Sequence, residues 1–168
     1  MNDLTDDMFL VLPDGSDGSP AAPTLDFNRS PVVTVTFAGN RLTRNAARAY
    51  QQEFGVGVME WRMLVMLTRD PGCSVGHAAR TTGIDKAAVS RALQRMEQAG
   101  LARAEVLGGD ERRKSWFLTG EGHALHSRML PRALDRQRSL LKGFSPEELA
   151  AFAGYLQRFL NNMADDAD

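Results

Sequence analysis

The chain has 168 residues, 43 % of them hydrophobic, which suits one domain with an extension and a packed core. No apolar run approaches the roughly 18 residues needed to cross a bilayer, and the single cysteine, Cys73, excludes an internal disulfide. The net charge of −1 argues against a nucleic-acid partner only until the charges are placed. Residues 1–31 hold six acids and one Arg, and residues 161–168 hold three acids and no base. The body between them carries 19 bases against 12 acids. Most of those bases are Arg, which suits phosphates and base edges better than Lys does. A basic body between acidic tails is hidden by the overall pI.

Residues 1–31, rich in Asp, Pro, Gly and Ser (LPDGSDGSPAAP), read as a disordered acidic arm. The opening MNDLTDDMF is acidic where a secretory leader would be basic, so a cytoplasmic protein without a membrane partner is expected. Ser30-Pro31 resembles a cap followed by Pro at the first helical position, starting a helix that runs to about Phe54. Leu42, Ala46, Ala49 and Tyr50 fall on one side of it, and Arg41, Arg44 and Arg48 make a basic stripe.

Gly55 and Gly57 end that helix, and a second one is predicted over about 58–69, with Trp61, Leu64, Val65 and Thr68 on one face. Asp70-Pro71-Gly72 is a turn. Ser74 caps a short helix ending near Gly83, and Asp85 caps the next, closed by Gly100. On a wheel of about 100° per residue, Val89, Ala92, Leu93 and Met96 fall on one side of this last helix. Ala87, Ser90, Arg91, Gln94, Arg95 and Gln98 fall on the other. Residues 101–107 and 115–118 read as two strands around the Gly108-Gly109-Asp110 turn. Thr119 caps a long helix to about Leu141, with a kink or break expected at Pro131. Ser145, Pro146 and Glu148 form a full start signal for a terminal helix, with Phe144 stapling to Leu149. Its face of Leu149, Phe152, Ala153, Leu156, Phe159, Leu160 and Met163 is wide enough to suggest a subunit contact.

Helix, short turn, capped helix and basic hairpin describe a winged helix-turn-helix. The fold class is mainly α with a small β-hairpin wing, joined to a helical dimerisation region. A helix fits the major groove of B-DNA, where Arg can bind guanine and Gln adenine through paired hydrogen bonds. Small Ala87 and Ser90 let the backbone approach, and Arg91 and Gln94 are the expected base contacts. Lys86, Ser90 and Arg95 are assigned to bases or phosphates, and the hairpin-tip residues Arg112, Arg113 and Lys114 to phosphates or the adjacent minor groove.

The wing Asp110-Glu111-Arg112 with Leu118-Thr119 resembles the D-x-R…L-T pattern of the MarR family of bacterial transcriptional regulators. The segments Val89-Ser90-Arg91 to Gly100-Leu101 and Glu60-Trp61-Arg62-Met63-Leu64 are similar too. The resemblance covers residues 32–163 as a single domain. It implies dimerisation helices at about 32–54 and 120–163 and a winged helix-turn-helix at about 58–119, while residues 164–168 read by composition as an acidic tail. It further implies a homodimer on a near-palindromic double-stranded operator, usually a repressor, released by a small effector such as an aromatic acid or its coenzyme A thioester. In the wing, Asp110 would orient Arg112 into the minor groove. Arg44, Trp61 and His77 are the candidates for the effector pocket.

Other readings are weighed on the same residues. The chain lacks G-x-S-x-G, P-loop, G-x-G-x-x-G and H-E-x-x-H patterns, so neither an enzyme nor a cofactor is expected. A protein-binding winged helix without DNA contact would want more apolar or acidic residues on the helix face. His123 and His126, three apart, could serve a metal-responsive regulator but lack companions, since a metal site needs three or four ligands. Trp61 defaults to core filling and His77 to a bond with a backbone carbonyl. Cys73 lies in a turn rather than near the first helix, away from where redox-sensing relatives carry theirs. Arg128, Arg132, Arg136 and Arg138 read as a solvated or ion-paired face.

Overall fold

A computed structural model describes residues 4–14, 22–106 and 114–165. The chain forms two compact units, Met1–Met63 and Leu64–Asp168. Among the described residues, no helix is long and apolar enough to cross a membrane.

In the first unit, β1 (Leu10–Val11) pairs antiparallel with β2 (Thr24–Leu25) after a 3-10 turn at Asp6–Met8. Backbone polar groups that composition assigns to water find partners here. Arg29 donates to the carbonyls of Asp7 at 3.0 Å and Leu10 at 3.4 Å, and the Asp26 N–H bonds the Phe9 carbonyl at 2.7 Å. Then α1 spans Pro31–Phe54, capped by buried Ser30 with Pro at its start, as its sequence dictates. Its buried residues are Ala46 and Tyr50, whereas Leu42 is exposed. Tyr50 packs on Trp61, ring centres 5.7 Å apart.

Helix α2 (Val58–Arg69) crosses the boundary between the units. It buries Met63, Leu64, Met66 and Leu67, while Val65 and Thr68 are exposed. The expected face of Trp61, Leu64, Val65 and Thr68 is therefore wrong by part of a turn. In VMEWRMLVMLTR apolar residues occur all round, so no stripe stands out.

The second unit continues with α3 (Val75–Thr82) and α4 (Lys86–Gln98), each with the predicted cap. Ser74 accepts from the His77 N–H and Asp85 from the Ala88 N–H. Gly100, at φ 70°, takes the left-handed turn that ends α4 and costs other residues strain. Strands β3 (Ala102–Val106) and β4 (Lys114–Leu118) pair antiparallel, Ala104 opposite Trp116. Arg103 lies over the Phe117 ring at 4.9 Å and pairs with Glu105.

Helix α5 (Gly120–Leu140) runs through Pro131 without a break, one of the two outcomes the sequence offered there. Pro131 and Ser127 are both exposed, so the Ser127 carbonyl that the ring leaves unbonded can be hydrated. Helix α6 (Pro146–Asp165) starts with the predicted capping box: the Ser145 N–H donates to Glu148 at 2.7 Å, and Ser145 Oγ accepts from the Glu148 N–H at 3.2 Å. Hydrogen bonds from its own backbone and from Ser145 hold the Glu147 carboxyl below its ordinary pKa. Phe144 meets the Phe152 ring at 6.0 Å, one turn beyond the expected Leu149.

One corner fastens α4, the hairpin and α5 together. Thr119 Oγ1 donates to the Gly100 carbonyl at 2.6 Å and accepts from the Gly122 N–H at 3.1 Å, while its N–H bonds the Leu101 carbonyl. Gly122 presses against that same carbonyl, and a methyl group added there would overlap it. Gly122→Ala is accordingly expected to cost about 1–3 kcal/mol of stability, as overpacking against backbone does. Urea denaturation checks this; an unchanged midpoint would show that the corner is soft.

Candidate nucleic-acid interface

The wheel drawn from sequence holds for α4 in its buried stripe and for most of its opposite side. Val89, Ala92, Leu93 and Met96 are 0 % exposed, so the helix is held rigidly by one stripe. On the opposite side Lys86, Ala87, Arg91, Gln94, Arg95 and Gln98 are exposed, and Ser90 is half-buried. Among the described residues, Lys86, Arg91 and Gln94 have no hydrogen-bond or ion-pair partner, so their polar ends are free for a ligand. Lys86, Arg91 and Arg95 outnumber Glu97, which makes this surface cationic.

Beside it lies an open groove of about 820 Å³. Lys86, Ala87, Ser90 and Gln94 form one wall, the start of α3 at Ser74–Gly76 another, and Lys114 and Trp116 of β4 a third. The groove thus joins the exposed face of α4 to the base of the hairpin. The Trp116 indole N–H is buried and has no acceptor among the described residues.

Sequence reasoning missed one contributor. Cys73 bridges to Trp116: the Gly72 N–H donates to the Trp116 carbonyl at 2.8 Å and the Trp116 N–H to the Cys73 carbonyl at 3.1 Å. This third chain segment sets the wing's base against the start of α3. A single bridging residue has no periodicity, so the sequence carries no signal for it. Burial, and secondarily Asp70, raise the Cys73 thiol pKa, keeping it protonated at neutral pH and away from the thiolate a redox sensor needs.

The remaining site residues fall in several places. Asp110, Arg112 and Arg113 lie outside the described residues; Lys114 opens β4 and is half-buried. Arg44 is exposed on α1 and Trp61 half-buried on α2, both in the first unit. His77 belongs to the second unit, where its Nε2 lies 3.3 Å from Asp70 Oδ2. The carboxylate replaces the backbone carbonyl expected for it, because α3 begins directly after the turn that carries Asp70. On α5, burial and then the nearby His123 lower the His126 pKa, and no group of three ligand-type residues forms among the described residues. Arg138 pairs with Asp135 at 2.6 Å, as expected of a solvated face.

Comparison with known proteins places this geometry. A family model described as the MarR family matches residues 54–113, from the end of α1 to the residue before β4. The HTH-type transcriptional regulator PecS of Dickeya dadantii (strain 3937) is 35 % identical over 82 residues, 47 % of this chain. That match spans about half, 49 %, of PecS itself. A MarR/EmrR family transcriptional regulator from Acinetobacter sp. ADP1 superimposes with a TM-score of 0.78 at 28 % identity, over 84 % of this chain and 99 % of that one. A MarR family regulator from Listeria monocytogenes, solved with a 26mer DNA, shares the fold at a TM-score of 0.75 and 20 % identity, over 82 % and 91 % of the two chains. In its mainly helical winged-helix fold and in these segments, the chain is similar to transcriptional regulators of the MarR family.

Proposed function

We propose that the protein is a DNA-binding transcriptional regulator, acting as a homodimer on a near-palindromic operator. The observation that carries this reading is α4, clamped by four fully buried side chains while Arg91, Gln94 and Lys86 stand exposed, without a partner among the described residues. A helix so held can present Arg91 and Gln94 to base edges in a major groove without first ordering them against a moving backbone. Ala87 and Ser90 leave room for close approach. Lys86 and Arg95 serve phosphates, and Asp110 orients Arg112 toward the minor groove, with Arg113 and Lys114 on the backbone. A protein-binding winged helix would put apolar or acidic groups where α4 puts two Arg and a Lys.

Dimerisation is supported by the distribution of exposed apolar side chains. They concentrate on α1 (Val32, Val35, Phe37, Leu42) and on α5 and α6 (Leu134, Leu140, Phe152, Tyr155, Leu160, Met163). Patches of that kind mark contact surfaces. Two-fold symmetry then brings two recognition helices to half-sites about 10 base pairs apart. Repression, release by a small aromatic acid or its thioester, and a cytoplasmic location complete the reading.

The test is a binding titration on duplex DNA across salt concentrations. If six to ten phosphates are neutralised, affinity should fall by about 10³–10⁵ between 50 and 200 mM salt. A flat response would remove the DNA reading and favour a protein partner.

A further inference from the structure

The first unit holds two charged surfaces that do not satisfy each other. From Pro31 to Gln52, α1 contains Arg41, Arg44 and Arg48 and no acid. All three are exposed and, among the described residues, none forms an ion pair. The arm before α1 is anionic: Asp6, Asp7 and Asp14 are exposed and likewise unpaired. Both surfaces also hold apolar side chains in water, with Leu12, Leu25 and Phe27 on the arm and Val32, Phe37 and Leu42 on α1 each at least 43 % exposed.

The arm is nonetheless anchored. The Phe27 ring sits edge-on to Phe37 at 5.2 Å, and Thr34 Oγ1 donates to the Phe27 carbonyl at 3.1 Å. Both contacts fix it at the N-terminal end of α1. A strand pair two residues long does not hold together alone in water, so the arm needs a further surface to lie on. The rise of a helix puts Arg41 about 15 Å and Arg48 about 25 Å beyond Pro31. Its own stripe therefore lies down the helix from the anchored arm. A second copy removes the separation. Copies of one helix facing each other across a perpendicular two-fold axis run antiparallel, so the start of each lies over the later half of the other.

We propose that the arm is a clasp for a second copy of this chain, its aspartates facing Arg41, Arg44 and Arg48 of that copy while Leu12, Leu25 and Phe27 cover apolar side chains beside them. This rests on the homodimer reading and adds to it a charged, arm-on-helix contact.

The test is a dimer dissociation constant, measured by sedimentation across dilution, for four full-length chains. These are the wild type, Asp6→Lys/Asp7→Lys/Asp14→Lys, Arg41→Glu/Arg44→Glu/Arg48→Glu, and the combination of both sets. Each reversal alone should weaken the dimer about tenfold or more, and the combination should regain most of that affinity, because facing charges couple. A chain that merely misfolds would not be rescued by three further charge changes. A constant unmoved by either reversal, or losses that add in the combination, would overturn the clasp. So would an arginine reversal that abolishes DNA binding while leaving the dimer intact, which would give the stripe to nucleic acid. A wild type monomeric at every concentration would instead refute the homodimer reading, and the clasp with it.

Discussion

Replacing Leu93 by Ala is expected to lower stability by about 2–5 kcal/mol, the range for truncating a fully buried Leu in a core that cannot collapse around the hole. Leu93 is 0 % exposed and sits at the centre of the stripe that holds α4, between Val89 and Met96, which are equally buried. The loss should appear as a shifted denaturation midpoint at fixed protein concentration. DNA affinity should fall as well, because α4 loses the packing that orients it. A midpoint within experimental error of the wild type would mean that α4 is not held as described.

On the opposite face the same helix should behave in the reverse way. Arg91→Ala removes an exposed side chain with no partner among the described residues, so the denaturation midpoint should stay within about 0.5 kcal/mol of the wild type. Affinity for a specific duplex should nonetheless drop by about 1–3 kcal/mol, the worth of one good bidentate contact to a base. Gln94→Ala should do the same at a different base position. Stability lost from one side and recognition from the other, within three residues, is hard to reconcile with a helix that only fills space. An Arg91→Ala chain with unchanged specific affinity would take Arg91 out of the interface.

The helix starts were legible because each couples a polar oxygen to an apolar period: Ser30, Ser74, Asp85, Thr119 and Ser145 all stand where their side chains can accept a free N–H. The two faces of α4 were legible for the same reason, since its apolar residues recur every three to four positions. The buried face of α2 was not, because apolar residues surround that helix and only tertiary packing selects Met63, Leu64, Met66 and Leu67. Long-range pairings were also invisible: the Cys73–Trp116 bridge, the β1–β2 pair and the His77–Asp70 contact each join residues that no local pattern links. Whether Pro131 breaks its helix was not legible, because its cost depends on whether the freed carbonyl meets water, which is a property of the folded surface. At the candidate site, the groove-facing residues could be named from sequence, but the groove itself, closed by the start of α3 and by Trp116, could not.

In the proposed function, the exposed face of α4 reads DNA as one of a two-fold pair. This is tested most directly by selecting duplexes from a random pool with the wild type and with an Arg91→Ala/Gln94→Ala chain. The wild type should enrich a near-palindrome whose half-sites lie about 10 base pairs apart. The variant should lose that preference while keeping weak, salt-sensitive binding to any duplex. Enrichment of the same sequence by both proteins, or of no sequence by the wild type, would contradict the account.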